Sequence, residues 1–259
     1  MATYKDILVY LDPTNASQDR LALAVSLARE HGARLVGVDV TTDEAFNGAW
    51  GERALRIAPD FEEALTSAGL KGRFISSEPR SAPGGELMHC VDLIVAPRPA
   101  GEARPLIRSE IPDAALLASG APMLILPQDW RPAPVGQNIV IAWNASREAT
   151  RAVHDAMPLL TKAKKVTIFG FAARPNGLRA ASELLAEHLA RHGVAATLSD
   201  WTDTGDISAV EALFASLDTQ DADLIVAGAF GHSRLFESMF GGVSLDLLRQ
   251  PTAPILMSH

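Results

Sequence analysis

The sequence predicts an α/β protein built from two doubly wound parallel sheets, on three observations. Short apolar runs without polar alternation recur along the chain, the pattern of strands covered on both faces. Longer stretches of helical periodicity separate them, the order expected of right-handed βαβ crossovers. The whole pattern also occurs twice. Ile7-Leu8-Val9-Tyr10-Leu11-Asp12 returns 132 positions later as Ile139-Val140-Ile141-Ala142-Trp143-Asn144. Leu93-Ile94-Val95-Ala96 returns as Leu224-Ile225-Val226-Ala227, and Ala121-Pro122-Met123-Leu124-Ile125-Leu126 as Ala253-Pro254-Ile255-Leu256-Met257. Two copies indicate a duplicated domain, since a solenoid needs about three repeats or more.

Taken in order, the strands of the first copy are expected at 6–11, 34–40, 73–77, 93–96 and 123–126. Those of the second are expected at 139–143, 165–171, 195–200, 224–227 and 255–257. Leu21, Ala24, Val25 and Ala28 recur at helical spacing before Gly32, a glycine placed to end a helix. Residues 180–192, before Gly193, repeat the device. The stretch 78–90 is short and rich in Pro and Gly, so the third helix of the first copy is expected to shrink to a turn. Each last strand opens with Ala-Pro, which suits a strand start or a sheet edge. Both last strands are apolar, and a bare apolar edge invites pairing. The two copies are therefore expected to pair through them, about a pseudo-two-fold axis. Pro127-Gln128-Asp129-Trp130-Arg131-Pro132-Ala133-Pro134 resists regular structure and reads as a linker. That gives domains at 1–128 and 135–259.

Composition narrows the function classes. Asp and Glu number 31 against 23 Lys and Arg, for a net charge of −8, where a general nucleic-acid binder would carry a basic footprint. The one cysteine, Cys90, cannot form an internal disulfide, and is read as buried. The longest apolar stretch, 114–127, is broken by Ser119, Gly120 and Pro122 and falls short of the roughly 18 residues of a membrane span. The first residues lack the pattern of a signal peptide. A soluble, cytoplasmic protein is the expectation, without nucleic-acid or membrane partners.

Ligands of open α/β sheets bind beyond the carboxyl ends of the strands, and two features fall there. One is the residue ending each first strand, Asp12 and Asn144. The other is the segment after the fourth strand of the second copy, with Gly228, Gly231, Gly241 and Gly242 followed by Val243 and Ser244. Glycines let backbone N–H groups turn inward into an anion-binding concavity. A helix starting near Gly242 would add free N–H groups and a positive dipole end. Such a segment suits a phosphate.

In these residues the chain resembles a tandem universal stress protein, two UspA-type domains in one chain. Nucleotide-binding members of that family carry an Asp ending the first strand and a G-x2-G-x9-G-[S/T] loop after the fourth. Gly228, Gly231 and Gly241 keep that spacing. The resemblance implies Rossmann-like, flavodoxin-like domains and a non-catalytic role in stress response. It implies ATP or another adenine nucleotide as ligand, its phosphates on the loop and its sugar near Asn144, and it leaves room for a homodimer. Two departures weaken the second copy's site: Gly242 stands at the Ser/Thr position and Asn144 at the Asp position. Losing one neutral and one charge-assisted hydrogen bond costs about 2–4 kcal/mol, roughly 30- to 1,000-fold in affinity. Ser233 and Ser244 are placed to compensate. The first copy keeps Asp12, but its aligned loop, Pro97-Arg98-Pro99-Ala100-Gly101, has lost the glycines, and its prolines remove two backbone donors. The first copy is expected to be architectural.

The remaining candidates have plainer readings. Asp12, ahead of Pro13, suits a turn or helix cap, as do Asn144 and Ser146. His188 and His192 have the i, i+4 spacing of two metal ligands, but no third ligand accompanies them in sequence. They are read as surface residues near a helix end, and no metal site is expected. His89 and Cys90 are adjacent and so do not share a helix face. Arg98, Arg104 and Arg108 can line the first copy's mouth and attract an anion, but a solvated loop is the default reading. No G-x4-G-K-[S/T] loop, H-E-x-x-H helix or G-x-S-x-G elbow is present, so catalysis is not expected. The rival functions are a slow, metal-dependent nucleotide hydrolase using the same loop, and a ligand-free scaffold for protein partners.

Overall fold

Residues 7–11 are at most 2% exposed, so the strand that holds them carries no polar alternation. The computed structural model describes residues 3–76, 84–98, 106–108, 111–171, 178–200, 209–229 and 253–259. Chain contacts divide it into two units, Ala2–Ala133 and Pro134–His259.

The first unit begins with β1 (Asp6–Leu11), α1 (Asn15–His31) and β2 (Arg34–Asp39). Three helices follow, α2 (Asp43–Asn47), α3 (Gly51–Ala54) and α4 (Ile57–Ala68), before β3 (Gly72–Ile75). A 3-10 helix (Gly85–Cys90) leads into β4 (Leu93–Pro97), and α5 (Asp113–Ser119) into β5 (Met123–Leu126). The strands lie in the order β3-β2-β1-β4-β5, every pair parallel. Helix α1 ends where its sequence says it should. Gly32 takes a left-handed φ of 62°, and Ala33 donates back to the Ala28 carbonyl at 2.8 Å. Of the stretch 78–90, the described residues 84–90 form the 3-10 turn, and 78–83 lie outside the described residues.

The second unit runs β6 (Asn138–Trp143), α6 (Arg147–Leu160), β7 (Lys165–Gly170), α7 (Leu178–Arg191) and β8 (Ala196–Asp200), then α8 (Ala209–Gln220), β9 (Leu224–Gly228) and β10 (Ile255–Ser258). Its order is β10-β9-β6-β7-β8, again parallel throughout. In both units the third, second, first, fourth and fifth strands stand side by side. This is the arrangement of the dinucleotide-binding half-sheet rather than of flavodoxin, whose order is 2-1-3-4-5. All ten strands expected from the sequence are present, with ends within two residues of the expected ones.

Each sheet is clamped at its amino edge by the same device. Asp92, just before β4, accepts the backbone N–H groups of Lys5 and Asp6 at 2.6 and 3.0 Å. Asp223, its counterpart before β9, accepts those of Gly136, Gln137 and Asn138 at 2.8, 3.0 and 3.2 Å. Burial pushes the Asp223 carboxyl above its ordinary range, and the three amides pull it back. The prolines opening the last strands serve as acceptors: Pro122 and Pro254 take the N–H groups of Ile94 and Ile225, each at 2.9 Å.

Cys90 corrects the sequence reading. It is exposed, because the buried residue of the 3-10 helix is Met88; His89 beside it reaches the Ser119 carbonyl through Nδ1 at 3.1 Å.

Removing the clamp of the second sheet tests its worth. Asp223→Ala leaves three amides without their acceptor and should cost about 1–3 kcal/mol. Asp223→Asn, which keeps one acceptor oxygen, should cost less, both read from chemical denaturation.

Candidate functional site

A doubly wound sheet opens a crevice where its strand order reverses, beyond the carboxyl ends of the first and fourth strands. In the first unit those ends are Asp12 and Arg98, just past β1 and β4. Asp12 is 2% exposed and fully engaged. Its Oδ1 accepts the Thr14 N–H at 2.8 Å, an Asx turn into α1. Its Oδ2 is ion-paired with Arg20 Nη2 from the second turn of that helix. Arg20 is itself buried, and its Nε donates to the Tyr10 carbonyl at 2.7 Å. The backbone N–H of Asp12 donates to Ser17 Oγ at 3.0 Å. The carboxylate that the resemblance would turn toward adenosine is therefore held by its own helix. Arg20 is the partner the sequence reading missed; a lone Arg among apolar residues on the inner face of α1 was the signal.

The end of β2 is covered by residues 106–108. The chain leaves β4 at Pro97, and by residues 106–108 it is bonded beyond β2, on the far side of β1. Thr42 donates to the Leu106 carbonyl at 3.2 Å and Arg108 to that of Val40 at 3.0 Å. An antiparallel bridge joins Thr41 to Ile107, and Ile107 is 3% exposed. Asp39, at the end of β2, accepts the N–H and Oγ1–H of Thr41 at 2.8 and 2.5 Å. Burial, and more weakly Asp12, raise its pKa; the Thr41 hydrogen bonds and Arg108 oppose this. Arg98 directly follows β4, and Arg108 lies beyond the end of β2, set against the carboxyl of Asp39. Arg104 lies outside the described residues.

In the second unit the register pairs Ala142 with Ala227, so Asn144 and Gly228 end neighbouring strands. Asn144 Oδ1 accepts the Ser146 N–H at 3.1 Å, the same Asx turn as Asp12 makes. Ser146 caps α6 by accepting the Ala149 N–H at 3.1 Å. Asn144 makes the turn and Ser146 the cap, the roles their sequence setting suits. The position equivalent to Arg20 is Ala152, fully buried, so charge has been removed from both members of the pair. Between Asn144 and Ser146, Ala145 takes a positive φ of 57°, where the first unit has Pro13.

Gly228 has a packing reason to be glycine. A Cβ there would lie 2.4 Å from the Ala149 nitrogen and 2.5 Å from the Glu148 carbonyl carbon, at the start of α6. The remaining loop candidates, Gly231, Ser233, Gly241, Gly242, Val243 and Ser244, lie outside the described residues. Trp143, which the sequence reading passed over, ends β6 beside Gly170. It is 7% exposed, and its indole N–H finds no acceptor among the described residues.

His188 and His192 sit at the end of α7, near its negative dipole end. Partial burial lowers the His188 pKa, and the His192 and His154 rings and Arg191 lower it further.

The Asp12–Arg20 pair yields a direct test. Arg20→Met alone strands a buried carboxylate and should destabilise the first unit by about 3–5 kcal/mol. The double change Asp12→Asn with Arg20→Met, which copies the neutral chemistry of the second unit, should recover at least half of that loss in thermal or chemical denaturation.

No family model matches the chain, and no curated protein matches it. Solved structures do. A universal stress protein from Archaeoglobus fulgidus superposes with a TM-score of 0.71 at 15% identity, over 98% of this chain and 97% of that one. A Pseudomonas aeruginosa protein ascribed to the same group gives 0.66 at 16% identity, over 98% and 93%. A functionally unknown protein from Pseudomonas aeruginosa gives 0.63 at 15%, over 98% and 92%. At such identities the likeness is one of fold, and the fold is that of the universal stress proteins.

Proposed function

We propose that the chain is a tandem universal stress protein of the cytoplasm, non-catalytic, whose second domain (135–259) binds an adenine nucleotide and whose first (1–128) is architectural. The observation that carries this reading is the difference between the two crevices. In the first, Asp12 is consumed by Arg20, and residues 106–108 are bonded across the end of β2. In the second, Ala152 stands where the first has Arg20, and the Asn144 amide nitrogen, beside Gly228, has no partner among the described residues. On this reading Gly231, Gly241, Gly242, Val243 and Ser244 cradle the phosphates and Asn144 stands near the ribose. The indole N–H of Trp143 supplies a donor where a buried one is costly to leave unmatched. The fold likeness to a universal stress protein supports the stress-response role. No described helix is long and apolar enough to cross a membrane.

The same proposal includes the pairing of the two domains through their last strands. Each of these strands is apolar, and each ends its own domain's strand order. Domains expressed separately should then self-associate in sedimentation; monomers of either would remove that part.

Calorimetric titration of the full chain with ATP, ADP and AMP tests the ligand. One site per chain is expected. Gly231→Val should weaken it at least tenfold, while Asp12→Asn with Arg20→Met leaves it unchanged. Heat that survives Gly231→Val, or that disappears with the first-domain double change, overturns the assignment. Gly228→Val is unsuitable, because the side chain would strike α6 whether or not a ligand binds.

A further inference from the structure

Helix α7 ends with His188 and His192 one turn apart, and the fold sets a third imidazole against them, that of His154 on α6. The His188 and His192 ring centres are 4.8 Å apart, and those of His154 and His188 are 5.7 Å apart. Two imidazoles on one tetrahedral ion, with metal–nitrogen bonds of about 2.1 Å, put their ring centres roughly 5.3 Å apart. The two observed separations bracket that value. His154 and His192 are exposed and His188 is half-buried, so the rings can turn, and an ion can reach them from solvent. The neighbouring charges are already matched: Arg191 reaches Glu187 at 3.5 Å and Arg151 reaches Asp155 at 3.1 Å.

Among the described residues no group of three or more His, Cys, Asp and Glu is placed to hold a metal ion as it stands. What α7 offers is a two-imidazole chelate, with the His154 ring close enough to join by side-chain rotation.

We propose that His188 and His192 bind a divalent transition-metal ion, with His154 turning in as the third ligand. The donors are nitrogen only, which suits Cu²⁺, Ni²⁺ and Zn²⁺ and not Mg²⁺ or Ca²⁺, whose sites are built from oxygen. Affinity should follow the order in which Cu²⁺ exceeds Ni²⁺ and Zn²⁺. The site lies wholly within the second unit and is independent of the nucleotide reading.

Titration of the full chain with each metal, using a chromogenic competitor for the tight ones, decides it. One ion per chain is expected, and no heat with Mg²⁺. His188→Gln should abolish the site. His192→Gln should do the same. His154→Gln should weaken it about tenfold, all three variants keeping the wild-type melting temperature without metal. Binding that persists at the same affinity in His188→Gln or His192→Gln overturns the proposal, and so does a His154→Gln variant that binds as the wild type does. His259, carried on the terminal segment, is controlled by His259→Gln, which should leave the titration unchanged; loss of binding there would relocate the metal and overturn the proposal as well.

Discussion

A parallel strand buried on both faces can carry polar chemistry only where it ends, and this constraint arranges everything else in the molecule. The middle residues of β1, β4, β6 and β9 are within 4% of complete burial, so no side chain in the body of these strands is available to a ligand. Polar groups are sorted to the two edges. At the amino edge, Asp92 and Asp223 collect the amides that enter the first strand of each unit. At the carboxyl edge, Asp12 and Asn144 collect the amides that leave it. The amino edge is the same in both units, as a purely structural device should be. The carboxyl edge is where they differ, and a difference confined to the one edge able to hold a ligand is informative about function.

The divergence at that edge is coupled. A carboxylate at position 12 out of water needs a counter-charge, and Arg20 supplies it; an amide at 144 needs none, and Ala152 fills the equivalent place. Either substitution alone would strand a polar or charged group in the core, at a cost of several kcal/mol. The turn changes with the pair. Pro13 locks a negative φ, whereas Ala145 holds a left-handed one, at roughly 1 kcal/mol or more for a residue with a Cβ. One copy has thus become a rigid, self-satisfied turn. The other holds a strained residue two positions after Trp143, whose indole N–H is buried without an acceptor among the described residues. Strain and an unmatched donor within three residues point to this turn as the place where the fold has given up stability.

Nearly all of the architecture was legible in the sequence, for a physical reason. The strands are apolar because both faces are covered, the helices end at glycines because only a left-handed residue closes them cheaply, and the duplication displays each signal twice. The same legibility failed wherever the partner was distant in sequence. Nothing in Asp12-Pro13-Thr14 announces that Arg20 will fold back onto the carboxylate. His154 lies 34 residues before His188, so the i, i+4 spacing that flagged the α7 pair could not reach it. Cys90 was misplaced because cysteine is usually buried, and here one residue type's average yielded to the register of a short 3-10 helix that sends Met88 inward instead.

Gly228 shows how a motif can be over-read. Its spacing to Gly231 and Gly241 looks like the signature of a phosphate loop, yet the first of these glycines is demanded by packing alone. With Ala149 and Glu148 of α6 where its side chain would be, no residue with a Cβ fits at the end of β9 unless the helix moves. The weight of the pattern therefore rests on the glycines that the sheet does not require, Gly231 and Gly241. In the first unit Pro97 stands at the position of Gly228 and Ala100 at that of Gly231, so that copy keeps none of the spacing. The survival of Gly231 and Gly241 in the second copy, beside a neutral Asn144, is the residue-level reason to look for the ligand in that domain.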